Sequence, residues 1–235
     1  MRIAMWSGPR NISTAMMYAF AARGDCEVVD EPFYAAYLTL TGLDHPMRED
    51  IIASQPSNPK DVITNLEAPV STPHCYHKHM SQHMIPDVPR DWIGGFKNVF
   101  LIRHPARVIA SYAAKRENPT LDDIGFRQQA EIFEAVKEDA VVIDSSDIRR
   151  DPPAALQALC DAIGLPFTDR MLNWPKGGHP SDGVWASHWY GAVWGSTGFG
   201  AAEGPMPDLP DALSDVYHAA MPFYEEMREN SLCIG

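Results

Sequence analysis

Arg10, Ser13 and Thr14 follow closely on Gly8 and Pro9 near the start of the sequence. A guanidinium and two hydroxyls in that spacing are donors suited to a tetrahedral oxyanion such as a phosphate. Arg103 and Ser111 form a second pair of the same kind. If a helix follows Arg103, that spacing sets the hydroxyl two turns further along it, so both can grip one terminal phosphate. Other residues can move protons: the carboxylates Asp30 and Glu31, and Lys78 next to His79. Each has a plain structural alternative. An acidic pair often opens a helix, and a lone arginine is often only a surface charge.

The elements that must position these residues alternate. Residues 2–6 are an apolar run without a turn residue, as in a buried parallel strand. Ser7, Gly8 and Pro9 interrupt it, and residues 12–23 carry Met16, Met17 and Phe20 at helical spacing. A strand, tight loop and helix in this order aims loop N–H groups at the positive end of the helix dipole. Residues 26–30 predict a second strand, with a helix-like stretch to Leu40 opened by Glu31-Pro32-Phe33-Tyr34. Residues 75–78 and 99–102 predict further strands, and Pro105 suits a first helical turn. Residues 141–167 run strand, helix start at Asp151-Pro152 and helix stop at Gly164-Leu165-Pro166. Residues 121–138 read as one amphipathic helix, residues 211–228 as a closing helix, and residues 41–59 as a mobile loop with one helical turn. Residues 61–66 fit either a helix end or a short strand.

The first loop is not the nucleotide-hydrolase loop G-x-x-x-x-G-K-[ST]. Counted from Gly8, the second Gly position holds Ser13, the Lys position Thr14 and the hydroxyl position Ala15. It resembles instead the 5′-phosphosulfate loop of sulfotransferases, P-[KR]-S-G-T-T, with Pro9, Arg10, Asn11, Ile12, Ser13 and Thr14 in register. Asn11 and Ile12 depart from the usual Ser and Gly. In residues 97–115, KNVFLIRHPARVIASYAAK, Arg103, Pro105, Ser111 and Tyr112 match the family's 3′-phosphate element R-x-P-x-x-x-x-x-S-Y. Residues 141–167 are similar in order to the family's Y-E-D-L…D-P…L-G-L-P segment.

The resemblance implies a P-loop-like three-layer α/β fold, with a central parallel sheet flanked by helices, in one domain over residues 1–235. It implies 3′-phosphoadenosine 5′-phosphosulfate (PAPS) as cofactor, held by residues 9–14, Arg103 and Ser111. Lys176 and Gly177 are similar to the family's basic Gly-containing loop over the 3′-phosphate. The reaction implied moves a sulfuryl group to a hydroxyl or amine of a small acceptor, with Arg10 stabilising charge. The base is open. In one register His79 stands at the His of the family's K-T-H, in the other Lys78 stands at its Lys, while Glu31 resembles the E-P motif of other branches. A non-catalytic nucleotide-binding module and a small-molecule P-loop kinase are the alternatives.

A chain of 235 residues is long enough for one α/β domain with a full core. Its net charge of -12 disfavours nucleic acid as a partner. No apolar run reaches the ~20 residues that cross a bilayer, and the first strand starting at Met1 leaves no room for a leader, so a cytoplasmic protein is expected. The four cysteines form no C-x-x-C pair, and His74, His77, His79 and His83 match no zinc spacing, so no metal is expected. Trp185, Trp189, Tyr190, Trp194 and Phe199 are either hydrophobic cover or the lining of an acceptor pocket.

Overall fold

A computed structural model describes residues 1–114 and 118–234, so Lys115, the last residue of the stretch that resembles a 3′-phosphate element, lies outside the described residues. In chain order the elements are β1 (Arg2–Ser7), α1 (Ser13–Ala22), β2 (Cys26–Asp30), α2 (Tyr34–Thr41), α3 (Arg48–Ser54), α4 (Pro59–Glu67) and β3 (His74–Met80). They continue with β4 (Lys97–Ile102), α5 (Pro105–Ala113), α6 (Leu121–Ile124), α7 (Phe126–Val136), β5 (Val141–Asp144), α8 (Ser145–Arg150) and α9 (Pro152–Ile163). Last come α10 (Ala186–Trp189), α11 (Gly191–Trp194) and α12 (Ser214–Glu229).

The strands pair in the order β2-β3-β1-β4-β5, all parallel. β1 is central, and its Ile3, Ala4, Met5 and Trp6 are fully buried, because a parallel strand covered on both faces can be apolar at every position. Strand alternation then sorts the core into two layers. Ile3, Met5, Tyr76, Val99 and Leu101 pack with Met16, Met17 and Phe20 of α1 and Leu156 and Leu159 of α9. Ala4, Trp6, Phe100 and Ile102 pack on the other face with Val62 and Leu66 of α4, Ile132 and Phe133 of α7, and Met227 of α12. Each large side chain buried in this way contributes roughly 1.5–3 kcal/mol. The result is a three-layer P-loop-like α/β fold with helices on both faces of the sheet.

Two local readings change. The helix expected over residues 121–138 is two helices, broken at Gly125, which has φ 71°. A side chain there would meet the backbone N of Gln82 at 3.0 Å, so the break lets this turn dock beside the end of β3. The stretch expected as a mobile loop contains α3 and the entry to α4. Asn58 caps α4 through Lys60 N at 2.9 Å, and Pro59 occupies its first turn. These polar helices were hard to read because each buries few residues, Ile51 in α3 and Val62 and Leu66 in α4.

Candidate active site

The carboxyl ends of β1, β2, β3 and β4 surround a cavity of about 450 Å³. One wall is the loop of residues 9–15. Gly8 starts that loop against α6, where an added Cβ would lie 2.4 Å from the carbonyl oxygen of Ile124. Arg10 and Ile12 both have positive φ, 58° and 45°. Ile12 stands where the resembled motif has Gly, and its backbone keeps the left-handed geometry that explains a glycine there. No side chain caps α1. The N–H groups that a helix leaves unpaired in its first turn therefore belong to residues on the cavity wall. Asn11 is buried and anchors the loop, donating from Nδ2 to the carbonyl of Leu101 at 2.6 Å.

Arg10, Arg103 and Ser111 meet. Arg10 Nε donates to Ser111 Oγ at 2.8 Å, and an Arg103 Nη donates to the carbonyl of Arg10. Burial and the nearby Arg103 charge lower the pKa of Arg10. Arg149 of α8 joins them on the cavity wall. The carboxylate of Glu203 reaches in from a later loop and pairs with Arg103, with Arg107 at 2.9 Å and with Arg149 at 3.4 Å.

On the other side of the cavity, register makes the site. Parallel pairing places Asp30 opposite Lys78. Lys78 Nζ donates to Asp30 Oδ1 at 2.9 Å and to Glu31 Oε1 at 2.7 Å, and it also contacts Tyr190 Oη. Tyr190 Oη lies 2.8 Å from each Asp30 oxygen and accepts from Trp185 Nε1 at 3.0 Å. The Lys78 side chain is 1% exposed. Burial lowers its pKa, and the two carboxylates outweigh that and raise it. Burial raises the pKa of Glu31, Lys78 opposes the shift, and Asp30 adds to it. Glu31 has φ 39°, backbone strain of a kind that gathers at functional sites.

The structure thus brings Pro9, Arg10, Asn11, Ile12, Ser13, Thr14, Glu31, Lys78, Arg103 and Ser111 to one cavity. It does not bring His79 there. Lys78 and His79 are consecutive in a strand, so they face opposite sides of the sheet. The His79 ring stacks on Trp6 at 4.4 Å and 20°, beside Phe33 and Trp92 in the core. Burial first, with His77 and His83 adding, holds its pKa well below the ordinary value. Lys176 is exposed and Gly177 donates its N–H to the carbonyl of Trp194 at 2.9 Å; neither lines the cavity.

The sequence reading missed Tyr190 as a partner of Lys78 and missed Arg107, Arg149 and Glu203 altogether. Arg149 lies in a segment read as structural only, and Glu203 follows a Gly-rich stretch that carries no periodic signal. The aromatic cluster divides: Trp189, Tyr190 and Phe199 line the cavity, while Trp185 is 1% exposed in the core. His83, stacked at 4.7 Å on Tyr34 and 4.8 Å on Tyr37, also reaches the cavity wall. Among the described residues, no group of three His, Cys, Asp or Glu side chains is placed to hold a metal ion, and no helix is long and apolar enough to cross a membrane.

Comparisons with known proteins bear on the family and the fold. The family model described as "Sulfotransferase domain" matches residues 1–231. Two Arabidopsis thaliana proteins, branched-chain-amino-acid aminotransferase-like proteins 1 and 2, are 34% and 32% identical over 97% and 96% of this chain. The chain spans only 42% and 41% of their lengths. Among solved structures, the sulfotransferase domain from the curacin biosynthetic pathway superposes with a TM-score of 0.54 at 16% identity, covering 93% of this chain and 96% of that one.

Proposed function

The chain belongs to the sulfotransferase family, and on that premise we propose that it transfers a sulfuryl group from PAPS to a hydroxyl or amine of a small acceptor. One observation carries the reading: a phosphate-type loop, an arginine-rich anion site and a buried Glu31–Lys78 pair line the same cavity.

The residues present fit the donor. Residues 9–15 offer first-turn N–H groups, the Ser13 and Thr14 hydroxyls and Arg10 to a 5′-phosphosulfate. Arg103, with Ser111, serves a 3′-phosphate. The Glu203 carboxylate paired with Arg103 supports an anion site at this spot. When bound, PAPS supplies an activated sulfuryl group. Arg10 and the loop N–H groups stabilise the negative charge that develops on the leaving and equatorial oxygens. Lys78 adds a fixed positive charge beside the acceptor side of the cavity. Glu31, which shares the cavity wall with Lys78, is the base for the acceptor proton. Trp189, Tyr190 and Tyr34 give the acceptor an aromatic wall.

The test is incubation with PAPS and a panel of phenols, alcohols and amines, read by mass. A sulfated product with release of adenosine 3′,5′-bisphosphate (PAP) is expected. Binding of PAP without transfer to any acceptor would favour a non-catalytic nucleotide-binding module. Mg-dependent turnover of ATP would replace the reading with that of a kinase.

A further inference from the structure

Arg103 at the end of β4, Arg107 on α5 and Arg149 on α8 come from three elements and converge on one group, the carboxylate of Glu203. The Glu203 side chain is 5% exposed, yet its neighbours Ala201, Ala202 and Gly204 are exposed. An acid turned inward from an otherwise solvated strap needs a strong local reason, and three guanidinium groups supply it. Its inner end is anchored by the Asn173–Gly198 bridge and by Phe199, which packs edge-on against Trp174. Beyond that point it is fastened lightly. Arg149 Nε donates to the carbonyl of Ala201 at 3.0 Å, and Arg107 donates to the carbonyl of Gly204. Both fasteners are the same arginines.

The charges do not balance. Three cations face one carboxylate, so an excess of two positive charges remains, and a phosphate monoester, which approaches two negative charges at neutral pH, matches the cluster better than a carboxylate does. A phosphate also has three terminal oxygens for three guanidinium forks. The remaining donors nearby are satisfied within the chain as well: Ser111 Oγ accepts from Arg10 at 2.8 Å.

We propose that Glu203 is an internal competitor for the Arg103–Arg107–Arg149 cluster, and that a terminal phosphate monoester displaces it and takes all three arginines. Residues 200–204 then leave the cluster whenever that phosphate binds, so occupation of the donor site is coupled to the position of Gly200 on the cavity wall, next to the anchored Gly198 and Phe199. This rests on the sulfotransferase reading only for the identity of the phosphate, a nucleotide 3′-phosphate. The anion site itself stands on the arginine geometry.

The experiment is calorimetric binding of PAP, AMP and inorganic phosphate to the wild-type chain, Glu203→Gln, Arg107→Ala and Arg149→Ala. Glu203→Gln keeps the size of the side chain and removes the competing charge. It should tighten PAP by about tenfold or more, because the competent state is no longer masked, and leave AMP, which lacks the 3′-phosphate, unchanged. Inorganic phosphate should bind Glu203→Gln more tightly than wild type. Arg107→Ala and Arg149→Ala should each weaken PAP and spare AMP. Equal PAP affinity in wild type and Glu203→Gln would overturn the inference and leave the function intact. Phosphate binding that responds to Glu203→Gln, with no PAP binding to any variant, would keep the inference and sink the donor assignment. No response of either ligand would reject both.

Discussion

Lys78 Nζ lies 2.7 Å from Glu31 Oε1, and both side chains are buried at the cavity wall. Adjacent strands, not neighbouring sequence, create this contact: β2 ends at Asp30 opposite Lys78, and Glu31 is the next residue. The pair fixes the carboxylate that the proposed reaction needs as base. Glu31→Gln should lower turnover by ~10²–10⁴-fold, the usual worth of general-base help, with PAP binding intact. His79→Phe, which preserves the stack on Trp6, should stay within a few-fold of wild type. Because burial raises the Glu31 pKa above its ordinary 4.5, the acid limb of the pH–rate profile should fall above that value. Activity that survives Glu31→Gln and vanishes in His79→Phe would reverse the assignment.

Lys78 is also a structural charge. Lys78→Met leaves Asp30 and Glu31 facing each other without a cation in a buried place, and should cost about 3–5 kcal/mol of stability. Adding Glu31→Gln removes part of that repulsion. The double variant should therefore recover stability in urea melts relative to Lys78→Met alone. Additive losses would show that the two residues do not act as a pair.

Arg103→Ala should weaken PAP binding by roughly 2–4 kcal/mol, the scale for losing one partner of a desolvated charged hydrogen bond, and leave AMP unaffected. Arg103→Lys should not restore it, because an ammonium lacks the planar fork. Calorimetry that finds the same PAP affinity in Arg103→Ala would remove this residue from the site.

The parts of the fold legible in the sequence were those with strong local signals. β1 and β4 hold apolar runs ended by Gly or charge, β2 is a short Val-centred strand ended by Asp30, and α9 is bounded by Asp151-Pro152 and Gly164. The loop that lines the cavity was legible through Pro9, Arg10, Ser13 and Thr14, even with Ile12 in a backbone region that disfavours a β-branched residue. What stayed hidden depends on strand register and on long-range closure. Whether Lys78 or His79 faces the cavity is a one-residue question, and strand alternation turns one residue into the opposite face. Tyr190 meets Asp30 from 160 residues away. Glu203 meets Arg103 from 100 residues away, through a strap with no periodicity. No local pattern encodes either contact.

The buried histidines give the last prediction, an acid limit on stability. His77, His79 and His83 are each at most 2% exposed. Burial, with Arg2 adding, lowers His77 to about 4, and burial holds His79 and His83 well below 6.5. In the unfolded chain each returns to about 6.5. Between pH 6.5 and the folded value, the unfolded state therefore binds more protons than the folded one, so stability rises with pH and is lost as pH falls. By pH 5 His77 should have removed about 2 kcal/mol, and a full traverse to pH 4 about 3 kcal/mol, with His79 and His83 acting in the same direction. Glu31 works with the opposite sign, since its raised pKa favours the folded state at lower pH, and it offsets part of this slope. Asp25, held below 3.8 mainly by its hydrogen bond to Arg23, matters only at still lower pH. Urea midpoints measured from pH 7.5 to pH 5 should fall steadily, and His77→Gln should flatten the curve by one histidine's share. A midpoint that stays level across that range would mean that these imidazoles take up protons without unfolding, and so are not sealed in the core.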